Sequence, residues 1–167
     1  MKKNRIIWCL LFALIGLCVS CTSMQRAVNK NNVSTNKLFL SLYEKNGNAF
    51  YLASTYATFS TVWTYAQDSI YVYRLAKGKV VERLSFKESG IDELNIPAVQ
   101  ELNKDIGECG NELDGDLFSF MARGGRPERQ DLPISIDCFT NKKYQSSFLN
   151  KIVESINKHK LWDIRYL

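Results

Sequence analysis

Three aspartates in the second half of the chain, Asp114, Asp116 and Asp137, are the carboxylates best placed for chemistry. Two carboxylates about 5–10 Å apart can cut a glycosidic bond, so a glycan hydrolase is one hypothesis. The turn around Gly115 also offers oxygens to Ca²⁺, but it lacks the ligand spacing and the closing glutamate of a calcium loop. A polar turn before a strand explains it more simply, and we predict no metal site and no other cofactor.

The loop between residues 124 and 129 could bind an anion. Its two glycines free backbone N–H groups, and Arg126 and Arg129 stand beside them. A carboxylate or a phosphate would fit such a loop. The segment lacks the strand–loop–helix order and the Lys-Ser/Thr ending of a nucleotide-binding P-loop. Arg126 and Arg129 are therefore candidate ligand-binding residues, and a solvated hairpin tip is the competing interpretation.

Nucleophilic catalysis is not indicated. The chain has a single histidine, His159, which lies between two lysines at the end of a predicted helix. There is no Gly-x-Ser-x-Gly elbow, and one imidazole gives little basis for a Ser-His-Asp set. We predict no catalytic residue.

The first residues are organised like an export signal. Basic residues at positions 2, 3 and 5 precede an uncharged run over residues 6–19. That run is shorter than the roughly 20 residues that a transmembrane helix needs. The letters VSC that end at Cys21 resemble the lipobox of bacterial lipoproteins, although Cys18 stands where that motif usually has leucine. The resemblance implies cleavage before Cys21 and lipidation of Cys21; plain secretion and an uncleaved anchor are the alternatives.

The same resemblance implies a location. No aspartate directly follows Cys21, and no acidic cluster follows that would direct the protein to the cell surface. We therefore expect a lipid-anchored protein of the bacterial cell envelope, on the outer membrane and facing the periplasm. Residues 1–20 would be the signal peptide, the polar residues 21–36 a lipidated flexible tether, and residues 37–167 the folded domain.

Removal of the signal changes the composition of the working protein. The full chain carries a net charge of +5, and the basic residues at positions 2, 3 and 5 leave with the signal, which lowers the net charge to +2. That value is too small to indicate nucleic acid or an anionic membrane surface as a partner. The expected partners are the membrane, through the lipid on Cys21, and an unidentified envelope protein or glycan.

Two cysteines remain for the folded part, Cys109 and Cys138. In an exported protein such a pair can form a disulfide. Two buried free thiols would be the alternative, because cysteine packs well as a small apolar residue. We expect the disulfide.

The clearest strand signals are three successive segments. Residues 58–66, 69–75 and 80–86 are rich in aromatic and β-branched residues, and short polar turns separate them. They are predicted to form an antiparallel meander. With a two-residue first turn, Tyr65 faces Ile70.

The other elements follow from periodicity and from turn residues. They are a strand or short helix over residues 37–43, a helix over 98–106, strands over 116–121 and 132–139, and an amphipathic C-terminal helix over 141–159 with Asn141 as its N-cap. Together they predict an α+β fold, with an antiparallel sheet of about five or six strands and the C-terminal helix packed on one face.

Three functions are compatible with these features. The first is a membrane-tethered envelope lipoprotein that acts as a non-enzymatic binding module. The second is a periplasmic hydrolase that uses carboxylates alone. The third is an inhibitor or immunity-type lipoprotein, which would show a large exposed patch.

Overall fold

The computed structural model describes residues 2–54, 58–88, 96–110, 115–123 and 128–162, with side chains from Ser23 onward. It contains six strands and four α-helices within those residues. In chain order they are α1 (Lys2–Asn46), β1 (Asn48–Ser54), β2 (Phe59–Ala66), β3 (Ser69–Ala76), β4 (Lys79–Lys87), α2 (Val99–Ile106), β5 (Asp116–Ala122), β6 (Gln130–Ile134), α3 (Ile136–Asn141) and α4 (Ser147–His159). A 3₁₀ turn, Gly107–Gly110, follows α2.

The six strands form one antiparallel sheet in the order β4-β3-β2-β1-β5-β6. The predicted α+β class is confirmed, and so is the pairing of Tyr65 with Ile70. The turn between these strands is as short as expected because Gln67 adopts a positive φ of 55°. Two-residue hairpin turns whose twist matches the strands need such backbone angles.

Each face of the sheet is covered by a separate layer. On one face, α4 and its neighbours enclose a large core that includes Phe50, Trp63, Phe118 and Phe148. On the other face, α1 covers a smaller core that includes Phe39 and Leu42. β1 and β2 have buried side chains at successive positions, so both of their surfaces need cover. The central strands therefore lie between two helical layers.

Residues 23–36 differ from the flexible tether expected for this region. They are helical as part of α1, and Val28, Asn31 and Thr35 are buried. Asn31 and Thr35 lie one turn apart on the same side of the helix, and both hydrogen-bond the Ser60 hydroxyl, at 3.3 and 2.6 Å. The contact is polar, so the hydrophobic pattern of the sequence gave no sign of it.

Residues 37–43 continue α1, and a helix was one of the two alternatives predicted for them. The strand that follows, β1, was not predicted. Gly47 makes the tight reversal between helix and strand, with φ 78°. Its amide donates to the Tyr43 carbonyl at 2.7 Å. Positive φ is cheap only for glycine, so this residue allows β1 to return directly beneath α1.

The prediction for the last strand and the last helix was partly wrong. β6 ends at Ile134, and the chain then forms the short helix α3. Asn141 ends α3 and is not an N-cap; α4 begins at Ser147 and is capped by Ser146, whose hydroxyl accepts from the Leu149 amide at 3.2 Å. The helical pattern is interrupted because the Asp105 carboxylate of α2 accepts hydrogen bonds from the backbone amides of residues 145 and 146.

Cys109 and Cys138 form the expected disulfide, with their Cα atoms 5.4 Å apart. Cys109 is buried in the 3₁₀ turn, and its carbonyl accepts a hydrogen bond from the Ser135 amide at 2.8 Å. The disulfide therefore joins the 3₁₀ turn after α2 to α3 at the edge of the larger core.

Replacing both Cys109 and Cys138 by alanine is expected to lower the free energy of unfolding by about 3.5 kcal/mol. The bridge closes a loop with a sequence separation of 29, and that loop restricts the unfolded chain. Urea titration followed by tryptophan fluorescence measures the difference. The oxidised native protein should lose a similar amount on reduction, and equal midpoints for all three samples would show that the bridge does not stabilise the fold.

Asn31→Ala is expected to lower the free energy of unfolding by about 1–3 kcal/mol, because it leaves the Ser60 hydroxyl and the Gly78 amide without their Asn31 partner. Asn29→Ala is the matched control, since Asn29 is exposed on the same helix. Equal stability of the two variants in urea would contradict the docking of this part of α1.

Candidate functional site

A cleft of about 500 Å³ lies beside α1, where the helix leaves part of the sheet uncovered. α1 packs on β1, β2 and β3, while Leu117 of β5 and Pro133 of β6 lie on the floor of the cleft. Its volume is within the range of small-molecule sites. The lining residues are Asn32, Val33, Thr35 and Asn36 of α1, Tyr51, Ala53 and Ser54 of β1, and Gly115, Asp116, Leu117, Arg129 and Pro133.

Arg129 forms the polar wall of this cleft. Its Nε donates to Asp131 Oδ1 at 2.6 Å, and its Nη1 donates to Asn36 Oδ1 at 3.0 Å. Its Nη2 donates to the Tyr51 hydroxyl, and the guanidinium carbon lies 4.9 Å from the centre of the Tyr51 ring. One side chain thus connects α1, β1 and the start of β6.

Carboxylates surround the Arg129 guanidinium, whereas residues 124–127 of the candidate anion-binding loop lie outside the described residues. Asp131 pairs with Arg129 and also accepts from the Ser119 hydroxyl at 2.5 Å. A second carboxylate, Asp116, lines the cleft and accepts from the Ile136 amide at 3.3 Å. Burial raises the pKa of Tyr51 above its usual value, so its hydroxyl stays neutral. The Arg129 guanidinium is therefore already paired with a carboxylate, and a second carboxylate lines the cleft.

The structure separates the sequence-predicted candidates. Arg129 lies in the cleft, whereas Arg126 and Asp114 fall outside the described residues. Asp116 lines the cleft beside α1, but Asp137 lines a different cleft between α3 and α4. Asp116 and Asp137 thus line different clefts, although Asp116 accepts a hydrogen bond from the amide of Ile136, the residue before Asp137. Sequence reasoning missed Tyr51 because β1 was not predicted, although the alternation within β6 puts Asp131 and Pro133 on one face.

A second polar cluster lies on the opposite side of the sheet, at the end of β4. The buried Glu88 carboxylate accepts from the Ser155 hydroxyl and contacts His159 Nε2. Lys151 Nζ lies 3.1 Å from the same carboxylate. The Tyr65 hydroxyl donates to Ser155 Oγ at 2.7 Å. Serine, histidine and glutamate are thus gathered in one place.

The connectivity of this cluster is that of a structural ion pair, not of a nucleophilic triad. In a triad the imidazole lies between the hydroxyl and the carboxylate, so that it can take the hydroxyl proton. Here Glu88 lies in the middle, and Ser155 is fully buried. The cluster fastens α4 to the end of β4, and Phe86 supports it by stacking on the His159 ring at a centroid distance of 4.3 Å.

Burial alone would raise the pKa of Glu88, but hydrogen bonds from Ser155, His159 and Lys151 outweigh burial and hold that pKa below its ordinary value. A lowered pKa in the folded state means that the ionised carboxylate stabilises the fold at neutral pH. This stabilisation is complete above the unfolded-state value of 4.5 and is lost as the pH falls through the folded-state pKa.

Glu88→Gln is expected to lower the free energy of unfolding by about 1–3 kcal/mol at pH 7, because the amide weakens the charged hydrogen bonds. The deficit should shrink as the pH falls below 4.5, because the unfolded-state carboxylate is protonated there, and it should be lost once the pH passes the lower folded-state pKa. Urea titrations at several pH values measure it. Glu154→Gln on the exposed side of α4 is the control. A deficit that stays constant down to pH 2.5 would refute the assignment.

The described residues hold neither a group of three or more metal-ligating side chains nor a helix long and apolar enough to cross a membrane. The Cys21 side chain lies outside the part of the chain whose side chains are described, so its lipidation stays a prediction. No protein-family model, no curated protein and no solved structure matches this chain.

Proposed function

We propose that the chain is a lipid-anchored protein of the bacterial cell envelope, processed at Cys21, which acts as a non-enzymatic binding module. The anchor rests on the lipobox resemblance, and several acyl chains on one cysteine would suffice for stable membrane attachment. The binding role rests on one observation: the cleft beside α1 is preformed, because Arg129 fixes its polar wall through three elements of the fold.

The cleft is best suited to a neutral glycan. Its polar groups include the exposed amides Asn32 and Asn36, which can bond hydroxyl and acetamido groups. Leu117 and Pro133 add an apolar surface beside them, where a sugar ring could pack. The pairing of Arg129 with Asp131 and the presence of Asp116 in the lining disfavour acidic sugars.

The anchor is tested by mass spectrometry and fractionation of the expressed protein. The mature chain should begin at Cys21, carry acyl chains and stay with the outer-membrane fraction, whereas Cys21→Ser should release it or block processing. An intact Met1 on the membrane-bound protein would rule out the processing step.

The cleft is tested with N-acetylglucosamine oligomers and, for comparison, uronic-acid oligomers as probes, by calorimetry or NMR titration. The neutral probe should bind more tightly, and Asn32→Ala combined with Asn36→Ala should weaken binding about tenfold, as expected for two lost hydrogen bonds. Asn29→Ala, on the same helix but outside the cleft lining, should bind normally. Equal affinities for this control and the double variant would exclude the cleft as the glycan site.

A further inference from the structure

Basic side chains gather where α1 crosses the turn between β3 and β4. The Lys30 side chain and carbonyl lie so close to Gly78 that an added Cβ there would be 2.7 Å from Lys30 Cγ. The Gly78 amide donates to Asn31 Oδ1 at 3.1 Å, which fixes the turn against the helix. Lys77 and Lys79 flank this glycine and are exposed, as Lys30 is.

This surface extends along the helix and along the edge strand. Arg26 is exposed one turn before Lys30, so the two lie on the same side of α1. Next to Lys79, Val80 and Val81 are 37% and 56% exposed, which is unusual for adjacent apolar residues of a strand. We call Arg26, Lys30, Lys77 and Lys79, together with these two valines, the basic corner.

The basic corner is more positive than the net charge of the chain suggests. No aspartate or glutamate occurs between residues 22 and 43 of the helix segment, or between residues 69 and 81 of the β3–β4 segment. Four exposed cations therefore lie in these two segments, and the next acidic residue of β4, Glu82, is paired with Arg74. Such a local field attracts anionic surfaces even when the whole molecule is nearly neutral.

The position of the basic corner relative to Cys21 determines the distance between the corner and a membrane to which Cys21 is anchored. α1 runs through this region as one helix, so Cys21 and the buried Val28 are separated by about 10 Å of helix axis, and Cys21 and Lys30 by about 14 Å. That spacing is comparable with the screening length of about 8–10 Å at physiological ionic strength. A modest tilt of the helix brings the long lysine side chains to the headgroups.

We infer that the basic corner rests on an anionic phospholipid surface and holds the domain in one orientation on the membrane. This inference builds on the proposed lipidation of Cys21. The polar and apolar composition of the corner matches a headgroup layer, where cations bind anionic lipids and small apolar side chains enter the interface. The glycan cleft lies on the other flank of α1, over β5 and β6, and so remains open beside the membrane.

The experiment places a fluorophore near the corner or far from it on the lipidated protein. Val81→Cys labels the corner, and Lys45→Cys labels α1 about 36 Å along the axis from Cys21. The protein is reconstituted into vesicles of phosphatidylcholine, with or without phosphatidylglycerol, that contain a headgroup spin-labelled lipid as quencher. In anionic vesicles, the fluorophore at position 81 should be quenched at least threefold more strongly than the fluorophore at position 45. In neutral vesicles, the quenching at position 81 should be weaker.

Charge variants carrying the Val81 label make the test specific. Lys77→Gln with Lys79→Gln should reduce quenching in anionic vesicles to the level in neutral ones, since each basic residue near the surface contributes roughly fivefold to the contact. Lys45→Gln with Lys104→Gln removes the same charge from exposed positions elsewhere and should change nothing.

The outcomes separate this inference from the proposed function. Acylated protein that stays in the vesicles but shows equal quenching at both positions overturns the membrane contact and leaves the anchor intact. That is also the result expected if an acidic protein binds the corner instead. Protein without acyl mass on Cys21 that fails to enter the vesicles overturns both the anchor and the inference.

Discussion

Both surfaces of the central strands are apolar, and the rest of the fold follows from the need to cover them. β1 and β2 bury side chains at successive positions, so a helix on one face alone would leave the other in water. α4 with its neighbours covers one side and α1 covers the other. On its side α1 covers β1, β2 and the Met121 end of β5, while Leu117 of β5 and Pro133 of β6 line the cleft.

Polar contacts, rather than apolar ones, determine where α1 lies on the sheet. The apolar contact through Phe39 and Leu42 would tolerate small shifts along the helix. The hydrogen bonds of Asn31 and Thr35 to Ser60 would not, because a shift would leave buried polar groups without partners. They align the helix with β2, and the same alignment brings Asn36 to the guanidinium of Arg129. The cleft wall thus depends on the same hydrogen bonds that dock α1 on β2.

How much the sequence predicts depends on how local the causes are. The β2–β3 register was predicted correctly, because a two-residue turn determines it, and so was the disulfide. β1 and the docking of α1 were missed, since a buried strand has no alternation and the α1 contact is polar. Arg129 was named from its loop, yet its partners Asn36 and Tyr51 are distant in sequence. Likewise, no pattern within α4 indicates that Ser155 and His159 meet Glu88.

One helix is involved in every role proposed for the molecule. α1 covers the smaller core on one face of the sheet, supplies one wall of the cleft and contacts the β3–β4 turn at the basic corner. Under the proposed anchorage it also connects directly to the lipidated residue. Because Val28 of α1 is already buried, a domain anchored at Cys21 would have little freedom to swing, unlike a domain on a flexible linker. A force on the anchor would therefore reach the Asn36–Arg129 wall of the cleft through continuous helix.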